Sequence, residues 1–313
     1  MKAVLGIDTS NYTTSAALLD ETGRMLQKKR LLDVKPGELG LRQSDALFQH
    51  TLRLPEILEG LFSSFEGEIS AVAVSDRPRN AEGSYMPCFL AGVNAASAAA
   101  CSCAVPLYRF SHQQGHIAAA VWSAKDPSLL TRPHYALHLS GGTTDLLLVT
   151  PSEDELITCE LIASSLDLKA GQAVDRVGKL LGLTFPAGKE LERLSLGWEN
   201  DISLRPSMKA GNCSLSGIQN HAERLLKEGH PPEYIAKYCL AAIYAAVEGM
   251  IRYAFSERGE LPVVFAGGVM SNRYLQKKLS ALGQTYFAEP EFSADNAAGI
   301  AYLGAIRSGL LEP

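Results

Sequence analysis

His112-Gln-Gln-Gly-His116 sets two imidazoles four residues apart. If Ser111 caps a helix here, both side chains stand on one face and reach a single metal ion. Two histidines near a helix start can also be ordinary exposed or hydrogen-bonded side chains, and spacing alone does not choose between these readings. An ion held by two histidines needs a further ligand, commonly a carboxylate. Asp295, in Ser293-Ala-Asp-Asn-Ala-Ala-Gly299 ahead of a small-residue helix, is the candidate, and its alternative role is that helix's N-cap. A protease of the HExxH kind needs glutamate after the first histidine as general base. Gln113 stands there, which disfavours metalloprotease chemistry.

A second set of residues suits an anion. Ser140-Gly-Gly-Thr-Thr144 and Gly267-Gly268 each follow an apolar run, and glycine amides approach phosphate oxygens without a Cβ in the way. Each pair alone also serves as a plain turn; facing each other across a cleft, they would clamp a nucleotide. Asp167 and Asp175 either accept from ribose hydroxyls or cap and decorate their helix. Gly182 to Lys189 is not a Walker loop, because five residues separate Gly182 from Gly188 and Glu190 stands where a hydroxyl must bind magnesium. No GxGxxG dinucleotide fingerprint and no GxSxG nucleophile elbow occurs.

These residues fall at the ends of elements that periodicity predicts. Val4 to Asp8 reads as a buried strand, Asn11 and Tyr12 as a turn, and Thr14 to Leu19 as a returning strand closed by Asp20-Glu-Thr-Gly23. Apolar residues at Leu47, Leu54, Ile57, Leu58, Leu61 and Phe62 predict a helix over Ser44 to Phe65, capped by Ser44 or Asp45. Strands are expected at Ile69 to Ser75 and Pro106 to Phe110, with a small-residue helix from Phe89 between them. After the polar linker Lys125 to Pro133 the pattern restarts: strand Tyr135 to Leu139, turn, strand Leu146 to Val149. Helices at Lys169 to Leu181 and Pro232 to Ser256, a strand at Val263 to Ala266 and a last helix from Asn296 to Ile306 complete it. The repeated hairpin predicts two related α/β lobes, 1–127 and 134–313, with the last helix able to pack back on the first.

The chain has 313 residues, 46% of them hydrophobic and 20% charged, which excludes a disordered or collagen-like chain. Its net charge of −5 excludes a body that holds nucleic acid by charge alone, although a local basic patch is compatible with it. Six cysteines without a CxxC pair read as reduced thiols in a cytoplasmic protein. The apolar run at the start and the Ala-rich stretch Ala91 to Val105 are both too short for a signal sequence or a membrane span.

Taken in order, several segments form one pattern. They are Gly6-Ile-Asp-Thr-Ser10, the two histidines, Leu139-Ser-Gly-Gly142, Gly171-Gln-Ala-Val-Asp175 with Lys179-Leu-Leu-Gly-Leu183, and Pro186-Ala-Gly188. Ser214-Leu-Ser-Gly217, Ala266-Gly-Gly-Val269, Ser271-Asn-Arg273 and Asp295-Asn296 follow. Together they resemble the TsaD/Gcp family, formerly labelled O-sialoglycoprotein endopeptidases. The resemblance implies two actin-like lobes with an interlobe nucleotide cleft. It implies transfer of a threonylcarbamoyl group from its adenylate to N6 of the adenosine beside the tRNA anticodon. It assigns one divalent metal, iron or zinc, to His112, His116 and Asp295. It assigns ATP or an acyl-adenylate to Leu139, Ser140, Gly141, Gly142, Asp175, Gly188 and Asn272, to which the turn reading adds Gly267 and Gly268. No catalytic side chain beyond the metal ligands is indicated. The partners implied are a smaller actin-like paralogue, a small ATPase and tRNA.

This chain departs from the family pattern at three places. Asn11, Tyr12 and Thr13 replace acidic residues at the first hairpin tip, Thr143 replaces a histidine, and Arg77-Pro-Arg-Asn-Ala-Glu-Gly83 replaces a Pro-Gly-Pro-Gly loop. The pattern is that of a diverged paralogue. Two other functions are therefore weighed: carbamoyl or acyl transfer from an adenylate to another acceptor, and a non-catalytic nucleotide-binding scaffold.

Overall fold

The structure, a computed structural model, describes residues 1–10, 12–34, 41–293 and 297–313. The first elements are β1 (Lys2–Asp8), β2 (Thr13–Asp20), β3 (Met25–Leu31), α1 (Gln43–Phe62), β4 (Glu68–Arg77), α2 (Phe89–Cys103), β5 (Leu107–Ser111) and α3 (His112–Ala124). Next come β6 (His134–Leu139), β7 (Thr144–Ser152), β8 (Leu156–Ser164), α4 (Ala170–Leu180), α5 (Gly188–Ser195), β9 (Ser207–Lys209), β10 (Asn212–Ser214) and α6 (Gly217–Lys227). The last are α7 (Pro232–Arg258), β11 (Val263–Ala266), α8 (Arg273–Leu279), β12 (Thr285–Phe287), α9 (Pro290–Ser293) and α10 (Ala298–Arg307). The chain divides into two units. One is Met1–Arg132 with Thr150–Cys159 and Ala294–Pro313; the other is Pro133–Val149 with Glu160–Ser293.

The first unit is built on a sheet of order β3-β2-β1-β4-β5. β1 runs antiparallel to β2, with Ile7 opposite Ala16, and parallel to β4. An apolar strand with both faces covered must bury every side chain, and from Ala3 onward β1 does. On one face Leu5, Ile7, Leu18 and Val74 meet Leu54, Ile57 and Leu61 of α1 and Ala96 and Ala100 of α2. The small side of the Ala-rich helix is therefore internal packing. On the other face lies α10: a Cβ on Gly6 would stand 2.5 Å from Ala301 N, and one on Gly304 would stand 2.6 Å from Ala73 Cβ.

The second unit repeats the plan. Its order, β12-β11-β6-β7-β8, is that of the first sheet read backwards, with β6, β7 and β8 standing for β1, β2 and β3 and with β11 and β12 standing for β4 and β5. β6 and β7 are antiparallel, and β11 runs parallel to both β6 and β12. Tyr135, Leu137, Leu139 and Leu146 pack on the α7 side chains Ile243, Val247, Met250 and Ile251. α7 is long and apolar enough to cross a bilayer, but most of its apolar stretch is buried as the core helix of this unit.

The structure differs from sequence expectation in several elements. α1 starts at Gln43 behind Arg42, without the side-chain cap expected from Ser44 or Asp45, and ends at Phe62. β3 and β8 were not expected. β3 is an edge strand whose Lys28, Lys29 and Arg30 blunt the apolar alternation that identifies strands. The first unit takes in 150–159, which the expected bounds placed in the second lobe, and α10, which the expectation let pack back on the first. The expected start of the last helix at Asn296 lies outside the described residues, and α10 is described from Ala298.

Candidate functional site

In the first unit the chemistry gathers where β1, β4 and α3 meet. Ser111 caps α3: its Oγ accepts from Gln114 N at 3.2 Å, and Gln114 Oε1 accepts from Ser111 N at 2.7 Å. This reciprocal cap fixes the helix start, so His112 and His116 stand one turn apart on one face. Their ring centroids are 4.3 Å apart at 71°. Gln114 Nε2 also donates to Ile157 O at 2.8 Å, tying the first turn of α3 to the 150–159 segment.

Asp8, the last residue of β1, is 1% exposed. Its Oδ1 accepts from Ser10 N at 2.9 Å and from Ser75 Oγ at 2.8 Å, and its Oδ2 lies 2.7 Å from His112 Nδ1. Sequence reading quoted Asp8 within a motif but gave it no role. Its signal was a carboxylate closing the first strand of a parallel pair, where α/β folds place ligand-handling groups. On the opposite face of the sheet, Thr14 Oγ1 and His50 Nδ1 are 2.8 Å apart. His50 Nε2 is buried with no partner among the described residues, and burial pushes this imidazole down to about 4.

Asp295 and Asn11 lie outside the described residues. The helix that follows Asp295 is described. α10 crosses α3 where Gly299 meets Gly115, so closely that a Cβ on Gly299 would fall onto Gly115 O. The first turn of α10 thus lies beside the turn of α3 that carries His116. α3 and α10 are in the same unit. Among the described residues no three His, Cys, Asp or Glu side chains form a complete metal-binding set. The donor chemistry of the pair nevertheless fits a metal: two neighbouring imidazoles, one with its Nδ1 against a buried carboxylate, is how ligating histidines are commonly held.

In the second unit the β6–β7 turn, which holds Leu139 to Gly142, meets Gly267 after β11 and Gly171 at the start of α4. Ser140 N donates to Thr143 O at 2.8 Å and closes the turn. Ser140 Oγ then accepts from Gly142 N at 3.3 Å and Thr143 N at 3.0 Å, so these two amides point into the turn, where an anion cradle was expected. Gly267 follows β11 with a φ of 95°, and a Cβ there would fall onto Leu139 O; only glycine lets the two strand ends approach this closely. Gly141, Gly142, Gly188 and Gly268 have open space where a Cβ would be.

The two acidic candidates separate. Asp167 is fully engaged: Oδ1 accepts from Leu168 N at 2.6 Å and Leu215 N at 2.7 Å, and Oδ2 from Ser216 Oγ at 2.6 Å. Burial alone would raise its carboxyl, but these donors overcome burial and hold it below its ordinary value. Asp167 thus ties the β8–α4 connection to the β10–α6 connection. Asp175 instead uses Oδ1 to accept from Ala187 N at 2.9 Å, which fixes the approach to Gly188, and Oδ2 has no protein donor among the described residues. Asn272 is similar. Its Oδ1 caps α8 by accepting from Leu275 N at 3.0 Å, while its Nδ2 has no protein acceptor among the described residues.

A family model described as TsaD, tRNA N6-adenosine threonylcarbamoyltransferase, matches residues 39–302. Among solved structures, full-length HypF in its phosphate- and nucleotide-bound form superposes with a TM-score of 0.61 at 16% identity, covering 100% of this chain and 47% of that one. The chain therefore spans about half the length of HypF. Component A of the Acidaminococcus fermentans (R)-2-hydroxyglutaryl-CoA dehydratase superposes with a TM-score of 0.58 at 14% identity, covering 99% and 100%. The activator of the 2-hydroxyisocaproyl-CoA dehydratase from Clostridium difficile, with bound ADPNP, gives 0.56 at 13%, covering 98% and 96%. At such identities the likeness establishes the fold alone, which is the actin-like α/β fold with two mixed sheets.

Proposed function

We propose, from the premise that this chain belongs to the TsaD family of tRNA N6-adenosine threonylcarbamoyltransferases, that it transfers a threonylcarbamoyl group from its adenylate to N6 of the adenosine beside the tRNA anticodon. The observation that carries the adenylate part is the half-used state of Asp175 and Asn272. In each, one atom is fixed by the backbone and the other has no protein partner, which is how a fold presents a polar group to a ligand without leaving it loose. Asp175 Oδ2 accepts from a ribose hydroxyl, Asn272 Nδ2 donates to the nucleotide, and the open glycines Gly141, Gly142, Gly188 and Gly268 let it approach the backbone.

A divalent iron or zinc ion, held by His112 and His116 with Asp295 as third ligand, would supply Lewis-acid polarisation of a carbamoyl or phosphate oxygen. The Ser111 cap and the Gly115–Gly299 crossing hold the two imidazoles in place for it. Elemental analysis of gently purified protein should find about one iron or zinc per chain, and His116→Ala should remove it while leaving the fold intact. In cells the protein works in the cytoplasm on tRNA, with a smaller actin-like paralogue and a small ATPase as partners. Light scattering of the protein with and without that paralogue tests the association.

A second reading is transfer from an adenylate to a different acceptor. The observation favouring it is that Pro78 O accepts from Gln113 N at 3.0 Å, so the loop that departs from the family pattern borders the helix start bearing His112. One experiment separates the two: expression in cells depleted of their ordinary family member. Restored threonylcarbamoyladenosine in tRNA supports the first reading. Its absence, with adenine-nucleotide binding intact by calorimetry, overturns the first in favour of the second.

A further inference from the structure

We infer that Asp8 is a positioning residue for the metal: from the end of β1 it fixes the tautomer and the ring plane of His112, so that Nε2 is the nitrogen offered to the ion. The inference rests on the reading that His112 and His116 hold a metal. It starts from a carboxylate that is 1% exposed and whose two oxygens have different tasks. Oδ1 is held by Ser10 N of its own turn at 2.9 Å and by Ser75 Oγ of β4 at 2.8 Å. With Oδ1 anchored on two elements, the direction of Oδ2 is set, and Oδ2 faces His112 Nδ1 at 2.7 Å.

A carboxylate oxygen accepts, so the proton of this bond belongs to Nδ1. The other neutral tautomer would turn a nitrogen lone pair onto an oxygen lone pair at that distance. A neutral His112 therefore carries its lone pair on Nε2. The ring plane is bounded as well: Phe89, 2% exposed, lies 6.3 Å from the His112 ring centroid, and His116 lies 4.3 Å from it. Three elements, β1, α2 and α3, thus orient one imidazole before any ligand arrives, and removing such an outer partner commonly lowers metal affinity about 10–100-fold.

The test uses Asp8→Asn, with Ser75→Ala as a milder variant that loosens the carboxylate without changing it. Zinc affinity is measured by competition with a chromophoric chelator. The tautomer is read from the 15N shifts of the His112 ring in metal-free protein at pH 8. Expected are an Nδ1–H tautomer in the unmodified protein, loss of that single tautomer in Asp8→Asn with zinc affinity down about 10–100-fold, and a smaller fall of the same sign in Ser75→Ala. Unmodified protein that binds zinc, with both variants binding it equally well, overturns the inference alone, as does an Nε2–H tautomer. Failure of the unmodified protein to bind zinc overturns the metal reading and the inference together. If Asp8→Asn does not fold, Ser75→Ala and the tautomer of the unmodified protein decide.

Discussion

The β1–β2 turn of the first unit and the β6–β7 turn of the second occupy the same place in the same strand order, yet they are chemical opposites. At the first, the strand ends in a carboxylate, and donors from its own turn, from β4 and from α3 converge on it. At the second, the strand is followed by a serine that accepts from the turn's own amides, and two glycines leave the outer side open. One turn gathers partners around an anion, and the other satisfies itself and keeps room for a ligand. The contrast teaches that a repeated actin-like scaffold preserves strand order and packing, while two or three residues beyond the strand's end decide what each copy can hold.

The comparison breaks most severely at the glycines that bring elements together in each unit. Gly299→Val in the first and Gly267→Ala in the second should each cost about 3 kcal/mol or more, since the added atoms meet backbone. Denaturant unfolding would show it, and a loss of only a few tenths of a kcal/mol at either site would mean that the approach is not tight. Next comes the ligand side. Asp175→Ala should weaken ATP binding by about 1–3 kcal/mol in calorimetry, and unchanged affinity would remove the second unit's turn cluster from nucleotide binding.

Acid separates the units more gently. His50, in the first, is held well below the ordinary histidine value, so the unfolded chain takes the proton first. Its contribution is complete above about 6.5 and is lost as pH falls to about 4. Asp167, in the second, lies below its ordinary carboxylate value, so its contribution persists at pH 4 and is lost only in stronger acid. Urea unfolding at pH 7, 5 and 3 should show this order, and His50→Asn should flatten the drop between pH 7 and 5. A variant that falls as steeply as the unmodified protein would assign the drop to another group. The smallest effect belongs to Ser140→Ala, which leaves Gly142 N and Thr143 N without their acceptor and should cost about 1 kcal/mol by the same measurement.

What the sequence made legible was local. The Ser111 cap, the β11 strand and the paired hairpins follow from period and turn residues that act within a few positions. The inward amides at Ser140 rest on a local signal that the reading of Gly141-Gly142 as an anion cradle passed over, the serine hydroxyl that competes for nearby N–H groups. The rest was not legible because its partners are distant in the chain. Asp8 meets Ser75 across 67 residues and His112 across 104, and an aspartate closing an apolar strand marks a place for ligand-handling groups without saying which distant residues will meet it. Asp167 reads as a helix-start carboxylate until Leu215 and Ser216, nearly fifty residues on, are seen to donate to it. That the last helix could pack back on the first lobe was expected, but the place of contact, Gly299 against Gly115, is a fit that neither helix's own pattern encodes.

That return has a consequence for biosynthesis. A ribosome releases β1, β4 and α3 long before it releases α10, and through most of translation one face of the first sheet, including Gly6 and the Gly115 side of α3, has nothing to close over it. The second unit, whose sheet and core helix are complete once β12 has emerged, can mature as a block in the meantime. The histidine pair, the earlier of the two sites in the sequence, is therefore the later to be finished. It reaches the surroundings described above only when α10 docks, so the nascent chain cannot close over the two histidines before α10 has emerged.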